Sequence, residues 1–315
     1  MKALKKSLKI AAFVLASILA LVILVIVILN IAKFAIYNEY YDMKTNLCKN
    51  PGLNDGFICQ GIAAVDDKDI ILISGYMKDD SASRIYVTTL DNDSYYVTLN
   101  NDGEKYTGHA GGISTSNGSV YIANGSKIFT FSLDSVLNAK NGEDVNIGKG
   151  TKINNKASFL YTDDEYLYVG SFMDKGTKKV DEHIFQTQEG THYAICSQYK
   201  IDDLSTPVRI YSIRDYVQGI CFTPDGKIVL STSHGLTSSV YYVYDKNKAV
   251  DSGKTLDGAP VYYLDSLENE IKGPAMAEGL DYYNGKIITL TESASNKYIF
   301  GKFFFANKIV SLEIK

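Results

Sequence analysis

Apolar and polar residues alternate in a hairpin pattern that recurs five times along this chain. In each copy a small residue leads an apolar strand, a turn follows, and a second apolar strand ends on Ser, Thr or Asn. The copies are QGIAAVDDKDIILIS (60–74), GGISTSNGSVYIAN (111–124), ASFLYTDDEYLYVGS (157–171), QGICFTPDGKIVLS (218–231) and EGLDYYNGKIITLT (278–291). Such alternation, interrupted by NG and DG turn pairs, is typical of half-buried antiparallel strands. The sequence therefore predicts an all-β chain of five similar units.

Further strands follow each hairpin. Third strands are predicted to begin at Arg84, Lys127, Tyr193, Val240 and Lys308, and fourth strands at Ser94, Val145, Val208 and Val261. The equivalent positions Gly61, Gly112, Ser158, Gly219 and Gly279 are 51, 46, 61 and 60 residues apart. These spacings are near the propeller blade lengths of about 40 to 50 residues plus loop insertions. We predict a β-propeller of five four-stranded blades, with six as the alternative if 172–192 contains a degenerate unit.

The first 36 residues have a different pattern. Four lysines precede a run without charged side chains from Ile10 to Ala32, and Lys33 follows it. As a helix this run would span about 35 Å at roughly 1.5 Å per residue, enough for a hydrocarbon core of about 30 Å. No clear cleavage site follows, and lysines favour the cytoplasmic side. We predict a cytoplasmic basic tail (1–9), an uncleaved transmembrane signal anchor (10–36) and an extracellular propeller (37–315), in a single-pass protein of the cell membrane.

The fifth unit ends at its third strand, so its outer strand must come from elsewhere. The available segment is YDMKTNLC, from Tyr41 to Cys48, and we predict that it closes the ring. Because strands alternate in direction across a blade, this segment would begin at the rim opposite the connections between blades. Since it follows the apolar helix closely, we expect the loop-rich rim to point away from the membrane.

The charge distribution narrows the choice of partners. Five of the 32 basic residues and none of the 36 acidic residues precede residue 37, so the remainder has 27 basic against 36 acidic residues, a net charge of −9. An acidic surface cannot neutralise phosphates, which argues against nucleic acid as a partner. The scarcity of arginine beside many Lys, Asn, Ile and Tyr residues favours a low-GC genome and a Gram-positive bacterium.

The four cysteines divide into two pairs. Cys48 and Cys59 flank the turn-rich sequence NPGLNDG, which could bring them together in an extracellular disulfide. Cys196 and Cys221 fall on apolar strand patterns, where a thiol behaves as a small hydrophobe. We therefore predict a Cys48–Cys59 disulfide and two buried free thiols.

Candidate site residues come from two positions in the repeat, just before each inner strand and just after each second strand. Both positions should lie on the same rim, around the mouth of the central channel, where convergent polar groups form a binding site. The residues that we expect to line this site are Gln60, His109, Gln218, His234, Glu278 and Glu292. A structural role is the alternative, since the glutamines could satisfy backbone groups and the histidines could be solvated.

The motifs QGI, GHAGGIS and EGL resemble those of the broad propeller superfamily that contains NHL-repeat, gluconolactonase-like and paraoxonase-like proteins. The resemblance covers residues 60–315. It implies a channel that holds calcium or another divalent cation through a Glu and Asn or Asp residues. Glu278 matches this pattern, whereas Gln60, Ala157 and Gln218 depart from it. We therefore expect no cofactor, with a divalent cation such as calcium, held by Glu278, as the alternative. Those relatives usually have six blades.

Three functions remain open. We expect a membrane-anchored propeller that binds a small molecule, glycan or peptide, or an unidentified extracellular protein, at its outward rim. The alternative is a metal-assisted hydrolase of lactones or esters, with Glu278 as ligand and His109 as base. A third option is a scaffold of a membrane complex. Neither a GxSxG elbow nor a P-loop is present in the sequence.

Overall fold

The computed structural model describes residues 2–163, 165–174 and 180–314. It confirms a propeller of five blades, preceded by an apolar helix that is long enough to cross a membrane. The helices are α1 (Lys2–Ile36), α2 (Asn38–Met43) and α3 (Leu133–Leu137). Short 3₁₀ helices cover Asp66–Lys68, Asp181–His183, Lys246–Lys248 and Phe300–Phe304.

The strands follow in chain order. A first strand, β1 (Lys44–Lys49), precedes blade 1, which contains β2 (Phe57–Val65), β3 (Ile70–Met77), β4 (Arg84–Thr89), β5 (Ser94–Asn101) and the short β6 (Glu104–Lys105). The next strands are β7 (Gly112–Ser116), β8 (Ser119–Asn124), β9 (Lys127–Ser132), β10 (Asp144–Asn146) and β11 (Thr151–Lys152). Blade 3 contains β12 (Phe159–Thr162), β13 (Tyr166–Gly170), β16 (Ala194–Lys200) and β17 (Arg209–Ile213), and its long loop forms the hairpin β14 (Phe185–Thr187) and β15 (Gly190–His192).

The remaining strands complete the ring. They are β18 (Val217–Phe222), β19 (Lys227–Thr232), β20 (Ser239–Asp245), β21 (Val250–Leu256), β22 (Ala259–Tyr263), β23 (Leu267–Gly273), β24 (Ala277–Tyr283), β25 (Lys286–Thr291) and β26 (Lys308–Leu312). The inner strands β2, β7, β12, β18 and β24 pack against one another in this order around the channel, and β24 returns to β2.

Ring closure by the amino-terminal segment is confirmed. Strand β1 pairs antiparallel with β26, from Lys44 opposite Leu312 to Lys49 opposite Lys308. It begins three residues later than the predicted Tyr41 because residues up to Met43 belong to α2. Blade 5 is thus completed by a strand from the other end of the propeller domain, which ties its two ends together without a covalent bond.

Two predicted fourth strands belong to other blades. Strand β10, predicted from Val145 to complete blade 2, runs parallel to β5 of blade 1. Strand β22, predicted from Val261 to complete blade 4, runs parallel to β17 of blade 3. The true fourth strands are β11 in blade 2 and β23 in blade 4. The prediction was wrong because an alternating pattern identifies a strand but not its partner, and the outer edge of the preceding blade offers the same unpaired backbone groups.

Close packing of neighbouring blades explains why a small residue leads each inner strand. A Cβ added at Gly112 would lie 2.4 Å from the backbone nitrogen of Leu160 in the next blade, and one at Gly61 would lie 2.5 Å from that of Ile113. Real side chains do not approach a backbone atom this closely, so glycine permits the inner strands to meet around a narrow channel.

Side chains of one blade satisfy backbone groups on the inner edge of the next. Ser74 Oγ donates to the carbonyl of Ala110 at 2.7 Å, and Ser231 Oγ donates to that of Glu278 at 2.6 Å. Buried backbone groups need such partners because water cannot reach them. The serine that ends these second strands is therefore structural.

The apolar helix leaves from an unexpected side. We call the rim that carries connections 106–111, 214–217, 233–238 and 292–307 the loop rim. At the end of α1, the Lys33 Nζ atom lies 4.6 Å from the ring centroid of Phe305, and the Tyr37 hydroxyl bonds Ser238 Oγ at 3.1 Å. Phe305 and Ser238 both belong to the loop rim, so α1 ends there.

Helix α2 then crosses the propeller beside blades 4 and 5. Its Tyr40 ring stacks on Tyr241 with centroids 6.1 Å apart, and the Met43 carbonyl accepts from the Glu313 backbone N–H at 3.1 Å, at the opposite rim. The chain therefore runs through α2 from the loop rim to the opposite rim, and β1 then runs back toward the loop rim. The expectation that the loop rim lies away from α1 was wrong because it omitted this crossing.

The cysteines are all free and buried. The predicted Cys48–Cys59 disulfide is therefore not present in this structure. Cys59 is instead held by polar contacts, since its Sγ accepts from Asn50 Nδ2 at 3.2 Å and lies 3.4 Å from the carbonyl of Thr291. The prediction of buried free thiols at Cys196 and Cys221 is confirmed.

Candidate functional site

A cavity of about 520 Å³ occupies the channel mouth at the loop rim. Five of the six predicted site residues line it: Gln60, His109, Gln218, Glu278 and Glu292. It is also lined by Tyr76, Gly111, Asn124, Gly125, Lys156, Ala157, Ser158 and Phe172. The sixth predicted residue, His234, is not among the lining residues; it is exposed, and its ring stacks on Tyr216 with centroids 4.6 Å apart.

Two carboxyl groups meet in this cavity because of the hairpin that carries them. Glu278 is the second residue of β24, and Glu292 follows the last residue of the antiparallel β25, so both lie at the loop-rim end of blade 5. Glu278 is 2% exposed. A buried carboxyl group without a cation beside it is costly, and such groups shift their pKa instead of staying charged.

Burial raises the pKa of both groups. Loss of solvent raises the pKa of Glu278 well above its ordinary value, and the negative charge of Glu292 raises it further. Burial raises the pKa of Glu292 to about 7, although hydrogen bonds from Tyr298 and Gln60 and the charge of Lys297 oppose this shift. Close to neutral pH the pair therefore retains at least one proton and acts as both donor and acceptor.

Each carboxyl group has a glutamine beside it. Gln60 Nε2 donates to Glu292 Oε2 at 3.0 Å, and Gln218 Nε2 lies 3.4 Å from Glu278 Oε1. Gln60 also donates to the carbonyl of Cys59 at 2.9 Å, so the backbone role considered from the sequence is part of its function. The two glutamines come from blades 1 and 4, on either side of blade 5, and orient both carboxyl groups at the cavity wall.

The loop after β25 supplies a second set of contacts. Tyr298 hydrogen-bonds the Glu292 carboxyl group and also contacts Tyr76. Lys297 Nζ donates to the Tyr76 hydroxyl and lies 4.7 Å from the centroid of that ring. These contacts connect the carboxyl pair to the outer edge of the mouth.

The histidines have different environments. His109 is exposed, its ring is tilted against Tyr76 at 4.5 Å, and its backbone N–H donates to Asn124 Oδ1 at 3.0 Å. His183 and His192, in the long loop of blade 3, are buried. Burial lowers the pKa of His192 to about 4, so this ring is neutral at physiological pH.

The mouth does not fit a calcium site. Calcium takes six to eight oxygen ligands, typically several carboxylates. Within residues 2–163, 165–174 and 180–314, no group of three or more His, Cys, Asp or Glu side chains is placed to hold an ion. The two carboxyl groups receive amide hydrogens from Gln60 and Gln218 in this arrangement, which a bound cation would oppose.

Sequence reasoning missed the aromatic and basic contributors to the mouth. Tyr76 comes two residues after the serine that ends the predicted second strand, and β3 continues past it. Tyr298 and Lys156 lie outside the repeating pattern. The one available signal was the aromatic composition of the loop 292–307.

The opposite mouth has a carboxyl group with a different role. Asp281, on the same strand as Glu278, accepts the Ala64 backbone N–H at 2.7 Å and that of Tyr282 at 2.9 Å. A cavity of about 460 Å³ lies there, lined among others by Thr115, Asp163 and Asp281. Here the carboxylate joins blade 5 to the inner edge of blade 1.

No protein-family profile and no curated protein sequence matches the chain. Solved structures that resemble it include the PQQ-bound aldose sugar dehydrogenase of Streptomyces coelicolor, with 14% identity, a TM-score of 0.44 and coverage of 78% of this chain and 76% of that one. A gluconolactonase of Xanthomonas campestris has 13% identity, a TM-score of 0.38 and coverage of 76% and 72%. A GH43 beta-xylosidase/alpha-arabinofuranosidase from a compost metagenome has 12% identity, a TM-score of 0.44 and coverage of 85% and 94%. At these levels of identity and TM-score, no activity carries over to this chain.

Proposed function

We propose that the protein is a membrane-anchored extracellular propeller that binds a small polar ligand in the loop-rim cavity. The observation that carries the proposal is the convergence of two buried carboxyl groups and two glutamines on one cavity of about 520 Å³. Ligand sites commonly have volumes of about 300 to 1,000 Å³ and a few converging polar groups. Perturbed carboxyl pKa values at a cleft further favour a functional site.

The chemistry of the mouth favours a ligand that presents hydroxyl or ammonium donors. The carboxyl oxygens of Glu278 and Glu292 are its strongest acceptors, while Tyr76 and Phe172 supply ring faces against which an apolar edge can pack. A sugar or polyol would exchange hydrogen bonds with the half-protonated pair. An amine would instead displace its proton.

The test is calorimetric titration of the full chain in detergent with a panel of monosaccharides, polyols and small amines. We expect one class to bind, and Glu278→Gln and Glu292→Gln to lose most of that affinity. Asp67→Asn is the matched control, because it removes one negative charge at the opposite mouth, where its side chain is 76% exposed. Equal loss in the control, or no binding by any class, would contradict the proposal.

The pH dependence separates the two ligand chemistries. An ammonium ligand needs the ionised pair, so its affinity should rise as pH increases through about 7 and protons should be released on binding. A hydroxyl ligand that uses the shared proton should bind less tightly above that pH. Titration in two buffers of different ionisation enthalpy measures the proton count directly.

A second candidate function is hydrolysis. A carboxyl group with a pKa near 7 beside a second carboxyl group is suited to general acid catalysis. His109 lines the same cavity. Chromogenic glycosides, esters and lactones test this candidate, and any turnover should be lost in Glu292→Gln and unaffected by EDTA.

The membrane anchor is part of the proposal. Helix α1 fits an anchor or a signal sequence by length and composition, and its candidate span, Lys5–Ile36, contains an apolar window that no part of the propeller covers. An introduced cysteine at the exposed Asp91 tests the topology, because the native cysteines are all buried. We expect a membrane-impermeant maleimide to label Asp91→Cys in intact cells and carbonate to leave the protein in the membrane fraction.

A further inference from the structure

The loop between β25 and β26 exposes a cluster of large apolar side chains. Ile299 is 75% exposed, Phe300 is 69% exposed and Phe303 is 37% exposed. Apart from α1, few large apolar side chains in the described residues are this exposed, and no other three are so close in sequence. A contiguous exposed apolar surface of this kind marks a contact with a partner or a membrane.

The structure holds this cluster rigidly. The residues just before the cluster are fixed by two hydrogen bonds: Ser295 Oγ donates to the Phe57 carbonyl at 2.8 Å, and the Asn296 backbone N–H donates to the Leu53 carbonyl at 2.8 Å. The 3₁₀ helix Phe300–Phe304 then turns the chain back toward β26. The exposed rings are therefore presented by a fixed segment of the loop rim.

The position of this segment beside α1 identifies what covers it. The 3₁₀ helix contacts α1, and the Phe305 ring lies 4.6 Å from Lys33 Nζ. Lys33 is the first charged residue after the apolar run 10–32, so it marks the level at which a membrane-spanning α1 would leave the hydrocarbon core. The exposed rings lie beside that level.

The composition of the segment fits a membrane interface. Aromatic side chains concentrate at the headgroup level of a bilayer, and lysines beside them extend their amines to water or to anionic headgroups. Lys297 precedes the three apolar side chains, and Lys302 lies between Phe300 and Phe303. Both lysine side chains are held to the rim, Lys297 by Tyr76 and Lys302 by Asn296.

We propose that the segment 298–305 is a second membrane contact, which holds the loop rim and its cavity against the outer surface of the bilayer. The inference rests on the proposed anchoring of α1. It reverses the orientation expected from the sequence and implies that the ligand reaches Glu278 and Glu292 along the membrane surface.

The absence of tryptophan from the chain permits a direct depth measurement. Four single-tryptophan variants of the full chain are reconstituted in vesicles of phosphatidylcholine and phosphatidylglycerol that carry bromine at defined depths. Phe300→Trp reports the segment, Leu21→Trp reports the middle of the apolar run of α1, where Leu21 is 61% exposed, and Tyr166→Trp reports the opposite rim. Ile299→Trp is the second reporter of the segment.

We expect Leu21→Trp to be quenched most by bromine near the bilayer centre. Phe300→Trp and Ile299→Trp should be quenched by bromine near the headgroups, on the order of threefold more than Tyr166→Trp, as for a ring in the interfacial belt. Iodide in the water should act in the reverse order.

The other outcomes overturn the inference in distinguishable ways. If Leu21→Trp is quenched while both segment reporters behave like Tyr166→Trp, the anchor stands and the second contact does not exist. If Leu21→Trp is not quenched, the anchor itself fails. Segment reporters shielded from both bromine and iodide would place this surface against a protein instead.

Discussion

The two mouths of the central channel use buried carboxyl groups in opposite ways. Glu278 and Asp281 lie three residues apart on β24, and both are nearly buried. Asp281 accepts two backbone N–H groups and fastens blade 5 to blade 1. Glu278 lies beside Glu292 and the amide of Gln218, and its pKa is raised by burial and by the negative charge of Glu292. A buried carboxylate that receives backbone hydrogens stabilises a fold, whereas one that faces another acid is retained at a cost in stability.

The largest expected effect is a loss of stability on substitution of Asp281, at the mouth opposite the loop rim. Asp281→Ala leaves the backbone N–H groups of Ala64 and Tyr282 without this acceptor. Since each buried donor left unpaired costs about 1 to 3 kcal/mol, we expect a loss of about 2 to 4 kcal/mol in the free energy of unfolding. Denaturant titration measures it. Asp281→Asn, which keeps one acceptor oxygen, should lose less; equal losses would show that hydrogen bonding is not the cause.

Glu292, at the loop-rim mouth, should make the free energy of unfolding depend on pH. The pKa of Glu292 is raised from 4.5 to about 7 in the folded state, so the folded protein holds more protons than the unfolded chain within that window. The contribution of Glu292 to the free energy of unfolding is then fully present below about pH 4.5. It falls by up to about 1.4 kcal/mol per pH unit as the pH rises toward 7. Thermal unfolding across this range measures it, and the fall should be smaller in Glu292→Gln. The opposite slope would contradict the account.

The sign of the stability change in Glu278→Gln distinguishes Glu278 from Asp281 at the opposite mouth. Glu278→Gln removes one of two repelling carboxyl groups while keeping the shape of the side chain, so we expect a gain of about 1 kcal/mol above pH 7, together with loss of ligand binding. Denaturant titration at two pH values provides the measurement, with Asp67→Asn as the charge-matched control at the other mouth. Destabilisation at every pH would assign Glu278 a structural role like that of Asp281.

The smallest expected effect concerns Tyr298. Its hydroxyl donates to Glu292 and opposes the rise in the pKa of that group. Tyr298→Phe should raise this pKa further and cost about 1 kcal/mol or less of stability at alkaline pH, as is usual for one hydrogen bond. Comparison of the pH–stability curves of the two proteins measures the shift, and superimposable curves would remove Tyr298 from the site.

The sequence predicted what depends on repetition. Five hairpins indicated five blades, the incomplete fifth unit indicated closure by a segment near Thr45, and equal positions in the repeats brought Gln60, Gln218 and Glu278 to one mouth. It failed where the choice depends on tertiary partners. Strands β10 and β22 have the expected pattern but pair with the preceding blade.

The orientation was missed for a similar reason. Helix α2 has six residues, and nothing in its sequence shows that it crosses from one rim to the other. The crossing is fixed by packing of Tyr40 on Tyr241. Tyr76 and Tyr298 were missed because neither occupies an equivalent position in the repeats. Tyr298 nevertheless hydrogen-bonds both Glu292 and Tyr76. Local pattern thus fixed the blades, and long-range packing fixed the face that carries the site relative to α1.

The central claim is that Glu278 and Glu292 form a pair of carboxyl groups that holds a proton near neutral pH at the mouth of a ligand cavity. Infrared difference spectroscopy across a pH titration tests it most directly, because a protonated carboxyl group has its own carbonyl band. We predict such a band that persists to about pH 7 in the unmodified chain and is absent from the double variant Glu278→Gln, Glu292→Gln. Complete ionisation of both groups near their ordinary value of 4.5 would contradict the account.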